Sequence, residues 1–183
     1  MMPLKFILLA LFTCFATAAN TPRCEAAPGP EIDAGVHATL DQFFYQTRGA
    51  RELAHKSVGM LVFPSVVKAG LGVGGEYGEG ALLIHGRNAG YYNTVAASFG
   101  FQLGVQARSV VIMFMTSGAL EQFRQTAGWK VGVDGSVAII TVGVGGSIDT
   151  AKITSPVVGF ILDPKGLMYN LTLEGSKISR IAR

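Results

Sequence analysis

The chain has 183 residues, enough for one domain, and 49% of them are hydrophobic against only 15% charged. A composition this apolar supports a sizeable core and excludes a disordered solvating segment. The formal net charge of +3 favours an anionic surface but is too mild for the basic footprint of a nucleic-acid binder.

The first 18 residues have the pattern of a secretory signal peptide. "MMPLK" is a short basic start, "FILLALFTCFA" is an apolar run too short to span a bilayer, and "ATA" supplies the small-x-small cleavage pattern before Ala19. Export to the periplasm or the cell exterior, peripheral to a membrane, is therefore expected. Cleavage removes Lys5 and leaves 14 basic residues against 12 acidic ones, a mature charge of about +2. Cys14 leaves with the signal and Cys24 remains alone, so no internal disulfide forms. Neither cysteine is preceded by the small residues that acylation requires. Residues 19–31, rich in proline and small side chains, are expected to be a flexible leader, followed by a single domain over 32–183.

Asp33 offers an N-cap, and Val36, Leu40, Phe43, Phe44 and Thr47 follow at helical spacing, which predicts a helix over 33–47. "RGARELAHKS" predicts a second, short helix with Leu53 and Ala54 on its apolar side. Beyond residue 57 the period changes to two. "GMLVF", stopped by Pro64, opens a series of strands: "KAGLGVGG", "GALLIHG", "AGYYNTV", "FGFQLGV" and "SVVIMFM". "SGALEQFRQTAG" is a third helix, with Ser117 as its cap and Gly128 beyond its stop. "KVGVDGSVAIITVGVGG" and a hairpin "VVGFILDPKGLMYNLTL" follow, the "DPKG" suiting a type I turn, before the basic end "SKISRIAR". The pattern predicts an α+β domain in which N-terminal helices pack on a glycine-rich, largely antiparallel β-sheet or barrel.

"GLGVGG", residues 70–75, fits the dinucleotide-binding fingerprint G-x-G-x-x-G. That fingerprint needs a strand before it, a helix after it and an acidic residue about 20 positions on. Here strand alternation follows the glycines, and no acidic residue occurs between Glu79 and Glu121. Neither a nucleotide nor any other cofactor is expected. Parity explains the glycines better. Gly70, Gly72, Gly74, Gly78 and Gly80 share one face of a strand, leaving nearly bare backbone that another element can approach. Gly100 and Gly104 repeat this opposite Phe99, Phe101, Leu103 and Val105, and Gly143 with Gly145 repeat it again.

Catalytic patterns are lacking. His37, His55 and His85 are scattered, no zinc-type cluster or G-x-S-x-G elbow occurs, and no P-loop is present. Glu76 and Glu79 are the close carboxylate pair of the strand region. They point to opposite faces on a continuous strand, or converge if a turn falls between them, and a solvated turn is the expectation. A binding role fits better. Arg48, Arg51, Lys56 and Lys68, with Arg87 if its turn lies on the same side, form a candidate headgroup site beside Phe43, Phe44 and Tyr45. Rings that insert beside cations that meet headgroups suit an anionic membrane interface. Against this, Phe43 and Phe44 could instead dock on the sheet.

"ELAHKSVGMLVFPSVVKAGLGVGGEYGEGALL", residues 52–83, resembles the SYLF domain family, with its Phe63-Pro64, Lys68 and "GGEYGEG". The likeness continues through "GYYNTVAASFGFQLGVQ", "GWKVGVDGSVAII" and "KGLMYNLTLEGSKISRI". Trp129 sits in the block typical of the family's secreted, stand-alone bacterial branch. The resemblance implies phospholipid binding, to phosphoinositides in eukaryotic members, through a basic surface and an amphipathic N-terminal segment, and it implies no catalysis. Actin binding is not carried over to an exported protein. The expected function is a non-enzymatic module that adsorbs to anionic phospholipid membranes. A structural or self-associating envelope protein is the alternative.

Overall fold

The computed structural model describes residues 26–140, 147–162, 173 and 175–183, with backbone alone at 70–73 and 98–104. The elements in order are helices α1 (Gly29–Gln46) and α2 (Ala50–Lys56), strands β1 (Gly59–Ile84) and β2 (Arg87–Phe114), and helix α3 (Ser117–Gln125). Strands β3 (Trp129–Lys130), β4 (Ala138–Ile140), β5 (Val157–Leu162) and β6 (Lys177–Ile181) follow.

The six strands of alternating sequence from 59 to 115 are in fact two long strands. β1 and β2 form one antiparallel hairpin, paired from Gly59↔Phe114 to Ile84↔Arg87. Its two-residue turn places His85 and Gly86 at φ of 51° and 75°, the paired positive values of a type I′ turn. Pro64 does not end a strand. It sits at a bulge between Phe63 and Val66, the position in a strand where a residue without an N–H is tolerated. The bulge has a second effect. Leu61 and Phe63 face the same core cluster as Val66 and Leu82, so the inward parity changes from odd to even at Pro64. From there on even-numbered positions face inward, Gly78 and Gly80 among them.

That face is where the hairpin folds over on itself. A Cβ added at Gly78 would lie 2.7 Å from the Ser65 carbonyl oxygen, and one at Gly80 would collide with the Val62 carbonyl. The bare-backbone expectation holds at these two glycines. The side-chain surroundings of Gly70 and Gly72 lie outside the described residues, as do Gly143 and Gly145. "GLGVGG" is continuous strand, with Gly70 opposite Gly104 and Gly72 opposite Gly100, so it has no loop-to-helix geometry for a pyrophosphate.

The second edge of β2 pairs with β6 through residues 91–95 and with β5 through 109–114. β3 extends β6, and β4 extends β5 in parallel. The sheet is thus mostly antiparallel with one parallel pair. The "DPKG" turn expected after β5 lies outside the described residues. Two cores result. The inner one, between the folded halves, holds Leu61, Phe63, Leu82, Val110 and Ile112. Its open end is closed by α3, whose Phe123 ring meets Tyr92, Phe114 and Trp129 at 4.9–5.5 Å between centroids. The outer core lies under α1 and α2, where Val36, Leu40, Phe43 and Leu53 cover Val62, Ala81, Val111, Met113 and Phe160.

The helices differ from expectation at their starts. α1 begins at Gly29, not Asp33, because Pro30 fits the first turn, where its missing N–H costs nothing. The leader therefore gives way to helix before residue 32. Asp33 accepts hydrogen bonds from Asn88 Nδ2 (2.7 Å) and Tyr91 Oη (2.9 Å) and so pins α1 to the hairpin turn. In α3 the cap is Thr116, whose Oγ1 accepts from the Ala119 N–H, not Ser117.

Candidate functional site

The corner between α1 and α2 is built on a backbone reversal. Arg48 bridges to Ser147, with the Ile148 N–H donating to the Arg48 carbonyl at 2.9 Å. Gly49 follows at φ 80°, and a Cβ there would press on the Ile148 carbonyl. Only glycine fits this left-handed, crowded position. α2 then buries Ala50 and Leu53 and turns Arg51, Glu52, His55 and Lys56 outward.

Here the cations divide. Lys56 Nζ donates to Glu52 Oε1 (2.8 Å) and to Thr150 Oγ1 (3.2 Å). The hydrogen bond from Lys56, then that from Thr150, holds the Glu52 carboxyl below its ordinary range. Lys152 likewise pairs with Asp149. Arg48 and Arg51 are exposed, and neither has a carboxylate partner among the described residues. The Arg51 guanidinium lies 4.7 Å over the Phe44 ring, a cation–π contact worth roughly 0.5–1 kcal/mol at an exposed site. Next to it Tyr45 is 91% exposed.

Phe43 is fully buried and packs 4.9 Å from Phe160. Burial leaves it no free face, so the expectation that it inserts into a membrane is corrected: it anchors α1 to the sheet. Phe44 is half-buried under Arg51. The aromatic that stands free is Tyr45.

The other two cations are elsewhere. Lys68 lies on the inner face of the ribbon, on the opposite side of the sheet from α2, with Nζ 3.7 Å from Glu76 Oε1. Arg87 is exposed at the hairpin turn, beside the start of α1, and an 18-residue helix about 27 Å long separates that end from Arg48. The structure thus gathers Arg48, Arg51 and Lys56 and leaves out Lys68 and Arg87.

Glu76 and Glu79 are not a solvated turn. They lie on one continuous strand with opposite facings. Glu76 is buried and accepts from Arg108 Nη2 at 2.5 Å. Arg108 is itself buried, and its Nε has no hydrogen-bond partner among the described residues. This pair ties the two halves of the folded ribbon across its bend. The space beside it, lined by Phe63, Thr94, Ser176 and Ile178, is about 10 Å³, room for at most one water. Glu79 on the outer face accepts from Tyr77 Oη (2.5 Å), from the Ala27 N–H and from Arg183. Sequence reasoning missed Arg108 altogether. Its signal was an even-numbered cation flanked by the buried run that follows it.

Residues 95–182 match the Ysc84 family model, described as a Las17-binding protein actin regulator. Over these residues the chain matches the SYLF domain family. The match opens at Val95 in β2 and runs through α3 to β6, and the family is one of lipid-binding and actin-regulating domains. No curated protein matches the chain. No helix among the described residues is long and apolar enough to cross a membrane.

Proposed function

We propose that this protein is a SYLF-type, non-enzymatic phospholipid-binding module, exported to the periplasm or cell exterior, that adsorbs to anionic membranes through the α1–α2 corner. The observation that carries the proposal is the corner itself. Two arginines without carboxylate partners among the described residues stand beside one free aromatic ring and one partly covered ring. A basic side chain near an anionic surface contributes about 1 kcal/mol, and salt screens the effect within a Debye length. Arg48 and Arg51, with a partial contribution from the paired Lys56, supply reversible adsorption and not permanent anchoring. Arginine suits the task because its planar fork meets phosphate oxygens two at a time. Lys68, held by Glu76, and the distant Arg87 take no part.

Co-sedimentation with vesicles tests this. The protein is expected to sediment with phosphatidylglycerol-containing vesicles, weakly with pure phosphatidylcholine ones, and less as salt rises. Arg48→Glu with Arg51→Glu should abolish most of the binding and leave the fold unchanged. Unaltered sedimentation of the folded double variant would place the headgroup site elsewhere. The export part predicts an intact mass beginning near Ala19 with no acyl chain on Cys24.

A further inference from the structure

The described residues at the bend of the β1–β2 ribbon present an exposed apolar face. In residues 67–77 of β1 and 95–107 of β2, every described odd-numbered position is exposed. Among them are Val67, Tyr77, Val95 and Val105, the last at 73%. No odd-numbered position in either stretch is charged in the sequence. The inward face holds even-numbered residues, with Val66, Glu76, Gly78, Thr94 and Arg108 all buried, although Gln106 at the bend is exposed. Because the even face closes on itself at Gly78 and Gly80, the odd face is the convex outside of the fold. Beyond Val95, where β6 ends its pairing, two-strand pairing alone holds this stretch among the described residues, since β5 joins β2 only at 109–114.

An exposed uncharged patch of this kind marks an interaction site. Its occupant follows from what shares its side of the sheet. The odd face continues, on the same β1 strand, the side that buries Ala81 and Leu83 under the helices, and the corner of those helices presents Arg48 and Arg51, which have no carboxylate partner among the described residues. Cations and a convex apolar surface on one side complement an anionic bilayer, which offers phosphate oxygens above hydrocarbon. We propose that the bend of the β1–β2 ribbon inserts Val67, Tyr77, Val95 and Val105 into the lipid surface while the α1–α2 corner holds headgroups. The proposal rests on the lipid-binding reading above. Insertion is shallow, to the headgroup–acyl boundary, because a two-stranded ribbon has open edges whose N–H and C=O groups require water. The Tyr77 hydroxyl, bonded to Glu79, keeps its polar end at that level.

The test separates insertion from headgroup attraction. In about 1 M salt the Debye length falls to roughly 3 Å and the electrostatic part is screened. The parent protein should retain residual binding to anionic vesicles there. The triple variant Val67→Thr, Val95→Thr, Val105→Thr is neutral and strand-favouring, so it should keep its fold, and it should lose that residual binding by about tenfold or more. An environment-sensitive fluorophore at Val105→Cys, in a Cys24→Ser background, should shift to the blue on vesicle addition. Unchanged high-salt binding of the triple variant, or no fluorescence shift while the labelled protein sediments, overturns the insertion. A parent that elutes as a dimer and a triple variant that elutes as a monomer, with equal vesicle binding, assigns the face to a second copy and also overturns it. Absence of parent binding at low salt defeats the lipid-binding reading itself, a distinct result.

Discussion

One ribbon shows two fates for the same alternation. Near its ends the outward residues Ala81, Leu83, Val111 and Met113 are buried under α1 and α2. At its bend the outward residues Val67, Tyr77, Val95 and Val105 face solvent. Strand patterning is alike in both regions, so alternation alone does not say whether a face is core. What separates them is whether a helix arrives to cover the face. The covered region makes the fold. The uncovered one is free for a surface outside the molecule.

The sharpest way to break that contrast is to cut the covering helix loose. Phe43→Ala removes a fully buried ring and should cost about 3–5 kcal/mol, whereas Tyr45→Ala two residues on should stay within about 0.5 kcal/mol. Urea denaturation midpoints measure both, and similar losses for the two would refute the assignment of Phe43 to the core and Tyr45 to the surface. Removing Arg108 is comparable in size. Arg108→Ala takes away the close, buried partner of Glu76 and leaves that carboxylate only the half-exposed Lys68 at 3.7 Å, a loss of about 3 kcal/mol. The double variant Arg108→Met, Glu76→Leu should recover most of it, and a double variant no better than the single one would show that the pair does more than neutralise itself.

The glycines sharpen the inside–outside contrast at one atom. Gly80→Ala pushes a Cβ onto the Val62 carbonyl and should destabilise by roughly 1–3 kcal/mol. Gly75→Ala, on the outer face, meets only the Ala96 carbonyl at 3.8 Å and should shift the midpoint by less than about 0.5 kcal/mol. Equal effects would mean that the ribbon is not folded over on its even face.

The smallest expected effect is a pH dependence in the alkaline range. The Tyr77 hydroxyl is pushed above its ordinary value near 10 by burial and by its bond to Glu79, Tyr91 by its bond to Asp33, and Tyr92 by burial. A raised native value means the folded state keeps protons that the unfolded state releases. The contribution is therefore fully present below about pH 10 and is lost as pH rises through the native values. Absorbance titration of the tyrosines beside urea midpoints at about pH 9 and pH 11 checks this, and a midpoint that rises with pH would contradict it.

Much of this was legible in the residues. Helical spacing from Val36 to Phe43 marked α1, and the even parity of Gly78 and Gly80 marked a close approach. The merging of six short strands into two was not legible. Glycine and proline are turn signals in isolation, and only a partner strand that pairs straight through Pro64 and Gly70 reveals them as a bulge and a bend. Basic residues were legible as a set, not as a site. Arg48 and Arg51 sit together because Gly49 reverses the chain against Ile148, whereas Lys68 is drawn to the far face by the parity change at Pro64. Arg108 left only a faint signal, the buried run that follows it, because a cation beside apolar residues is normally a surface residue and its partner Glu76 lies 32 positions away.

Amide hydrogen exchange with and without anionic vesicles tests the central claim most directly, because it reports both halves of the proposed surface in one experiment. The account predicts slowed exchange across residues 47–56 and at the ribbon bend around Val67 and Val105 when phosphatidylglycerol vesicles are present, with no change in the core strand at 109–114. Protection confined to the C-terminal strand or the inner face, or none anywhere while the protein is bound, would contradict it.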